Sequence, residues 1–167
     1  MTTEPAKAEL PKSPNSLRLT LWVLLIVYIF NFLDRQIVNI LAEPISRDLG
    51  LSDTQIGLMT GIAFAAFYTF LGIPIARYAD RPKTNRVGLI SVSLIIWSGM
   101  TALCGVAQNF VQLLLARIGV GVGEAGCTPA AHSLIADLAP PEKRASAISF
   151  YSLGIPIGSL LGMVIGG

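Results

Sequence analysis

The chain has 167 residues, of which 53% are hydrophobic and 13% charged, and its mean hydropathy is +0.65. Soluble globular domains carry about 25% charged residues, so this composition excludes an ordinary soluble domain and indicates an all-α, polytopic membrane protein. The formal net charge is +2, but the basic residues are dispersed beside apolar segments rather than grouped on one polar face. We therefore expect the lipid bilayer, and no nucleic acid, as a partner.

Five apolar stretches are each long enough for a helix to cross the hydrocarbon core, which takes about 20 residues. A polar segment, residues 1–18, precedes them and is expected to be a mobile tail. Ser52 and Gln55 have the spacing of a capping box ahead of span 2, and Pro140 with Pro141 is expected to stop span 4. The predicted spans are residues 19–42, 56–78, 87–107, 110–138 and 145–167.

The basic residues outside the spans or at their ends predict the orientation. Because successive spans alternate sides, Arg47 falls on one side and the remaining nine fall on the side of the N-terminus, which the positive-inside rule makes cytoplasmic. These nine are Lys7, Lys12, Arg18, Arg77, Arg81, Lys83, Arg86, Lys143 and Arg144. Span 5 is still apolar at Gly167 and has no interfacial anchor, so we expect the chain to be a fragment of a longer polypeptide.

Four charged residues lie inside predicted spans and away from their ends: Asp34 and Arg35 in span 1, and Arg117 and Glu124 in span 4. A charge near the bilayer centre costs upward of about 2.5 kcal/mol, so such residues persist mainly where they face a cavity or a partner. Arg117 and Glu124 are two helical turns apart and fall within about 20° of one face. The pattern favours a polar track for substrate or proton, in which Asp34 or Glu124 changes protonation. The alternative is a static charge network that fixes helix packing.

Span 5 carries a stripe of glycines, Gly154, Gly158, Gly162 and Gly166, that recur every four residues. Small residues at this spacing let another helix approach closely. Pro156 removes one backbone hydrogen bond within the stripe and allows a bend. Static helix packing and a sliding or gating contact both explain this pattern.

The motifs in the sequence do not support an enzyme or a cofactor-binding protein. Residues 121–126 match G-x-G-x-x-G, but no strand precedes them and they lie inside span 4, so they do not predict a dinucleotide site. His132 falls about 80° around the helix from Glu124, and we interpret it as a packed residue. Cys104 and Cys127 are interpreted as buried thiols. The sequence therefore predicts no enzyme activity, no cofactor and no metal.

The loop between spans 2 and 3 resembles a known signature. Residues 76–86 are similar to the segment between the second and third helices of the major facilitator superfamily, with Asp80, Arg81 and Arg86 at matching positions. Residues 117–126 resemble the fourth-helix pattern of that family, and Gly154-Ile-Pro-Ile-Gly158 with Gly162 resembles its fifth-helix pattern. Phe32-Leu-Asp-Arg-Gln36, residues 117–126 and residues 133–141 are similar to the spinster-like branch.

The resemblance implies twelve helices in two halves, with this chain as the first five helices and a C-terminal half missing. It implies that Asp34 and Glu124, accompanied by Arg35 and Arg117, are proton-linked or substrate-site groups. The expected function is secondary active transport of a small organic or lipid-like anionic or amphiphilic solute, coupled to protons or another ion, through alternating access. Asp80, Arg81 and Arg86 would form a cytoplasmic latch, and the site of action would be a bacterial inner membrane. A membrane scaffold without transport activity is the rival interpretation.

Overall fold

The computed structural model describes residues 14–166, and the regular structure among these residues is entirely helical. Eight α-helices and one π-helical turn follow one another in this part of the chain. They are α1 (Pro14–Ile40), α2 (Ala42–Leu49), α3 (Asp53–Gly57), the π turn (Leu58–Ile62), α4 (Ala63–Ala79), α5 (Arg86–Cys104), α6 (Phe110–Leu138), α7 (Pro141–Ser152) and α8 (Gly154–Gly166).

Five helical units within the described residues are long and apolar enough to cross a membrane, which confirms the predicted all-α, polytopic fold. Span 2 combines α3, the π turn and α4, and span 5 combines α7 and α8. In chain order the spans are Ser16–Ile40, Asp53–Ala79, Arg86–Cys104, Phe110–Leu138 and Pro141–Gly166.

Polar residues cap the helices where the chain turns between spans. Ser52 and Gln55 form the predicted capping box at the start of span 2. The side chains of Asn85 and Asn109 accept hydrogen bonds from backbone amides in the first turns of spans 3 and 4. Such caps satisfy amides that have no partner within the helix. Gly50 ends α2 in the left-handed conformation, with φ of 64°, which costs glycine little.

Several boundaries differ from those expected from the sequence. Helix α1 begins at Pro14, so residues 14–18 are helical rather than tail, while residues 1–13 of the predicted tail lie outside the described part of the chain. The polar segment after span 1 contains the short helix α2, and span 3 ends at Cys104 rather than at residue 107. Span 5 begins at Pro141 rather than at residue 145, because proline at the first helical position loses no hydrogen bond. Gly167, its predicted last residue, lies outside the described residues.

Span 4 is the centre of the helix assembly. In its most apolar 18-residue window 61% of residues are buried, against 11–22% in the other spans. Spans 2 and 3 pack along span 4, and span 5 packs along span 1. Large apolar side chains face outward on the remaining surface, among them Phe70, Ile95 and Val164. This distribution suits an integral membrane protein, whose exterior contacts lipid or further helices.

Glycines permit the closest helix contacts. A Cβ placed on Gly123 of span 4 would come within 2.6 Å of the backbone nitrogen of Trp97 in span 3. A Cβ on Gly158 of span 5 would overlap the carbonyl oxygen of Ile29 in span 1. The predicted stripe in span 5 is thus the surface on which span 1 lies, and Gly154 and Gly162 meet that helix in the same way.

Span 2 is interrupted near its start by the π turn Leu58–Ile62. The hydroxyl of Thr60 donates a hydrogen bond to the carbonyl oxygen of Ile56 across this turn, at 2.9 Å. A π turn inserts one residue into an α-helix, and such insertions occur frequently at functional sites. Phe64, in the first turn of α4, follows directly after it.

Candidate functional site: a charge cluster between spans 1 and 4

The four charged residues predicted inside the membrane come together as two ion pairs between spans 1 and 4. Arg35 donates two hydrogen bonds to Glu124 Oε2, from Nη2 at 2.6 Å and from Nε at 2.8 Å. Arg117 Nη1 lies 3.4 Å from Asp34 Oδ2. The side chain of Glu124 is fully buried, and that of Arg117 is 4% exposed. Each buried charge therefore has an opposite charge beside it, which offsets part of the cost of removing it from water.

The hydrogen bonds of the Arg35–Glu124 pair are shorter than that of the Arg117–Asp34 pair. Both pairs contain a polar atom without a hydrogen-bond partner. Within the described residues, Oε1 of Glu124 and Nε of Arg117 are buried and have no hydrogen-bond partner. The buried side chain of Asn31, one turn before Asp34 in span 1, interacts with the Glu124 carboxylate. At 3.4 Å the Asp34–Arg117 contact is at the limit of hydrogen-bond length. The cluster therefore has capacity for a different set of partners.

Aromatic rings from span 2 form one wall of the cluster. The guanidinium carbons of Arg35 and Arg117 lie 5.0 Å and 5.4 Å from the ring centre of Phe64. The ring of Tyr68 is also 5.0 Å from the guanidinium of Arg35. A cation this close to a ring face is attracted by about 0.5–2 kcal/mol. Gly121 gives Phe64 its space, since a Cβ there would be 3.3 Å from the ring.

An open cavity of about 360 Å³ lies against both arginines on the side of span 2. Its walls combine cationic, hydroxyl and amide groups with the aromatic faces just described. The polar residues that line it are Arg35, Asn39, Thr60, Tyr68, Thr69 and Arg117. Such a lining can bind the anionic group of a small molecule and place an apolar part against the rings.

The predicted latch residues are only partly brought together. Arg86 forms an ion pair with Asp137 at 2.5 Å and donates from Nε to Ser133 Oγ at 2.7 Å, which ties the start of span 3 to the end of span 4. Asp80 is exposed at the end of span 2. Arg81 is also exposed, and its guanidinium lies 5.7 Å from the ring centre of Tyr78. Asp137 and Ser133 were not predicted as members of this group.

In span 5 the predicted packing residues, Gly154, Pro156, Gly158 and Gly162, all lie in α8, after an interruption of the helix. The helix is interrupted at Leu153, and Pro156 follows as the third residue of α8. Gly162 lies against Gln36, the neighbour of Arg35 in span 1. His132 is exposed and meets the ring of Tyr151 edge-on, with centroids 5.5 Å apart. The glycine surface therefore extends along span 1 as far as the residue next to Arg35, whereas His132 belongs to an aromatic contact.

Sequence reasoning missed Asn31, Phe64 and Tyr68. Phe64 and Tyr68 are four residues apart on one helix face, but aromatic residues in a membrane span are as consistent with lipid contact as with a site. Asn31 offered a clearer signal, because a polar amide one turn from Asp34 extends the same face of span 1.

Together, the five helices of residues 14–166 that are long and apolar enough to cross a membrane, and a charge cluster paired across two of them, define a multi-pass membrane protein with a polar interior site. The sequence profile of the Major Facilitator Superfamily matches residues 24–167. The chain belongs to this superfamily, whose members are transporters.

The fold is shared with a solved member of the spinster group. The crystal structure of a bacterial homolog of the human lysosomal transporter Spinster, in an inward-facing and unoccupied conformation, matches 92% of this chain at 47% identity with a TM-score of 0.87. This match confirms the resemblance to the spinster-like branch that the sequence motifs indicated.

Two curated relatives extend the comparison. An MFS-type efflux pump of Mycolicibacterium smegmatis is 41% identical over 87% of the chain, and the sphingosine-1-phosphate transporter of Danio rerio is 29% identical over 83%. The chain spans about a third of the length of the efflux pump and of the solved homolog, and 27% of the length of the sphingosine-1-phosphate transporter.

Proposed function

We propose that the polypeptide carrying this chain is a proton-coupled secondary transporter of a small organic or lipid-like anionic or amphiphilic solute. The observation that carries this proposal is the pair of ion pairs, Arg35–Glu124 and Arg117–Asp34, buried between two membrane spans. In alternating access two halves of a transporter move around a site near the middle of the membrane. The missing C-terminal half would supply the other side of that site.

The preference for an anion rests on the two arginines. Both line the cavity of about 360 Å³, and arginine matches carboxylate and phosphate groups through its forked donors. The aromatic wall of Phe64 and Tyr68 suits an apolar portion of the solute. Sphingosine-1-phosphate, the solute in the name of one relative, combines a phosphate group with an apolar tail.

The coupling to protons rests on the position of Glu124. Its carboxylate already occupies the guanidinium of Arg35, so a substrate anion would compete with it. Protonation of Glu124 would neutralise this competitor and free Arg35 for the substrate. Proton binding and anion binding then favour each other, and this favourable coupling is reciprocal.

The remaining features fit the same proposal. The nine basic residues that the sequence predicts on the side of the N-terminus support a cytoplasmic N-terminus, and we assign the protein to a bacterial inner membrane. The contact of Arg86 with Asp137 would hold spans 3 and 4 together as a cytoplasmic latch, with Asp80 and Arg81 free to contact the other half. The glycine surface of span 5, which follows the interruption at Leu153, would let spans 1 and 5 shift against each other during gating.

The test uses the full-length polypeptide in liposomes under an imposed pH gradient, with radiolabelled sphingosine-1-phosphate and glucuronate as probes. We expect at least one probe to move in response to the gradient. Glu124→Gln, which keeps the shape but removes the titratable group, should abolish the dependence on the gradient.

Glu43→Gln is the matched control. Glu43 is also paired with an arginine, Arg47, but both side chains are more than 70% exposed. This variant should transport like the original protein, because exposed pairs contribute little. Transport by Glu124→Gln that still follows the pH gradient would remove Glu124 from the coupling step. Background flux of both probes with the unaltered protein would favour a scaffold.

A further inference from the structure

Span 3 carries two buried hydrogen-bonding groups that have no partner among residues 14–166. They are the indole nitrogen Nε1 of Trp97 and the hydroxyl of Thr101, four residues apart on one face of the helix. Leaving a buried polar group unsatisfied is expensive, and such groups are rare in folded proteins. Their persistence calls for a partner in another state of the molecule.

The partner that the geometry offers is Asp34. Trp97, Thr101 and Asp34 line one groove of about 470 Å³ between spans 1 and 3. Thr101 and Asp34 also line the adjoining cavity of about 370 Å³, together with Arg117. The present contact of Asp34 with Arg117 is long, at 3.4 Å. Asp34 thus lies between a loosely held cation and two unoccupied hydrogen-bonding groups.

We propose that Trp97 and Thr101 form a second position for the Asp34 side chain, occupied when Asp34 is protonated. The proton arrives on the Asp34 carboxylate and weakens its attraction to Arg117, and the side chain turns toward span 3. The carboxyl O–H then donates to Thr101 Oγ1, while the other carboxyl oxygen accepts from Trp97 Nε1. This inference rests on the proposed proton coupling. It adds Asp34 to Glu124 as a group that binds a proton, and it assigns two positioning residues to Asp34.

The two groups match a neutral carboxyl group in chemistry. Tryptophan can only donate, whereas threonine can also accept, and a protonated carboxyl group needs one donor and one acceptor. Arg117 cannot accept a hydrogen bond, so it cannot be the partner of the O–H of a protonated carboxyl group. The switch therefore exchanges a charged partner for a neutral pair on Asp34. It leaves Arg117 without its carboxylate, on the wall of the cavity proposed for the solute anion.

Other charged and titratable groups also face Asp34. Arg117 and Glu124 approach from span 4, Cys104 from span 3 and Asp48 from α2, while Arg35 is its neighbour in span 1. A shift in pH response alone could come from any of them. The test must therefore follow Asp34 itself.

The test combines two measurements on the full-length polypeptide in liposomes. Infrared difference spectra between acidic and alkaline pH should show a protonated carboxyl band that Asp34→Asn removes. Thr101→Val and Trp97→Phe should each move that band to higher frequency, because the carboxyl group loses a hydrogen bond. Each should also move the pH midpoint of the band, and of probe transport, toward acid by about 0.5–1 pH unit, a three- to tenfold change in proton activity.

Two further variants serve as controls. Thr101→Ser keeps the hydroxyl and should restore both the frequency and the midpoint. Ser98→Ala removes an exposed hydroxyl from the same groove and should change neither. Adding Asp34→Asn to Thr101→Val should abolish the effect of the threonine substitution, as expected for two interacting residues.

Three results would overturn the proposal. One is the absence of any pH-dependent band that Asp34→Asn removes. The second is a midpoint that Thr101→Val and Trp97→Phe leave where Ser98→Ala leaves it. The third is a loss of thermal stability in both variants with an unchanged band, which would assign Trp97 and Thr101 to helix packing. The infrared signal needs no substrate, so failure of both transport probes would refute the proposed solutes without affecting this test.

Discussion

Replacing Gly158 by alanine should destabilise the contact between spans 1 and 5. The added Cβ would overlap the carbonyl oxygen of Ile29 and come within 2.8 Å of Phe32 Cβ. Ordinary contact begins near 3.4 Å, so the two helices must separate by about 1 Å at this point. Neither obstacle is the flexible end of a side chain, so the strain cannot be relieved by a rotamer change.

The expected size follows from two opposing terms. Overpacking of this kind costs about 1–3 kcal/mol, while alanine in a helix interior is favoured over glycine by about 0.8–1.0 kcal/mol. The net loss for Gly158→Ala is therefore up to about 2 kcal/mol. Gly99→Ala is the matched control, because a Cβ there meets nothing within 4 Å. It should be neutral or stabilising by up to about 1 kcal/mol.

The assay is reversible unfolding of the full-length polypeptide in mixed micelles, with the three proteins compared under identical conditions. Gly158→Ala should unfold at lower denaturant than the original protein, and Gly99→Ala at the same or higher denaturant. Equal midpoints for the two variants would refute the idea that backbone contact, rather than glycine as such, makes position 158 sensitive.

Three further outcomes are expected. Gly123→Ala should lower the free energy of unfolding by up to about 2 kcal/mol in the same assay, because its Cβ would meet the backbone of span 3. An unchanged midpoint would contradict that contact. Phe64→Leu should weaken binding of an anionic probe several-fold in equilibrium titrations, since Arg35 and Arg117 both lose the ring of Phe64. Unchanged affinity would place the site elsewhere. Asp137→Asn should lower the free energy of unfolding by less than about 1 kcal/mol, because Asp137 is 48% exposed and Arg86 keeps its hydrogen bond to Ser133. It should nevertheless change the transport rate if the contact between Arg86 and Asp137 is a latch.

The span positions were predictable because local signals are strong. Span 4 begins after Asn109 and ends before Pro140 as expected, since an amide cap and a proline pair act within one turn. Span 3 ends before its predicted last residue, 107. Gly105 and the two residues after it are apolar, which extended the prediction, but they are not helical. Hydropathy indicates whether a segment prefers lipid or water. It does not locate the end of a helix, which also depends on backbone geometry.

The partners within the charge cluster were less predictable. Helical periodicity placed Arg117 and Glu124 on one face, but it could not show that span 1 covers that face with the opposite charges. The two pairings follow from the packing of spans far apart in sequence. For the same reason Phe64 could not be separated from the aromatic residues that face outward.

The π turn of span 2 determines the direction in which the later residues of that helix face. One inserted residue rotates the downstream residues by about 100° relative to an uninterrupted α-helix. Phe64 and Tyr68 both lie after the turn, so their rings face Arg35 only because of that insertion. Deleting one residue from Leu58–Ile62 would leave the composition of the span almost unchanged, yet it would turn the aromatic wall away from both arginines.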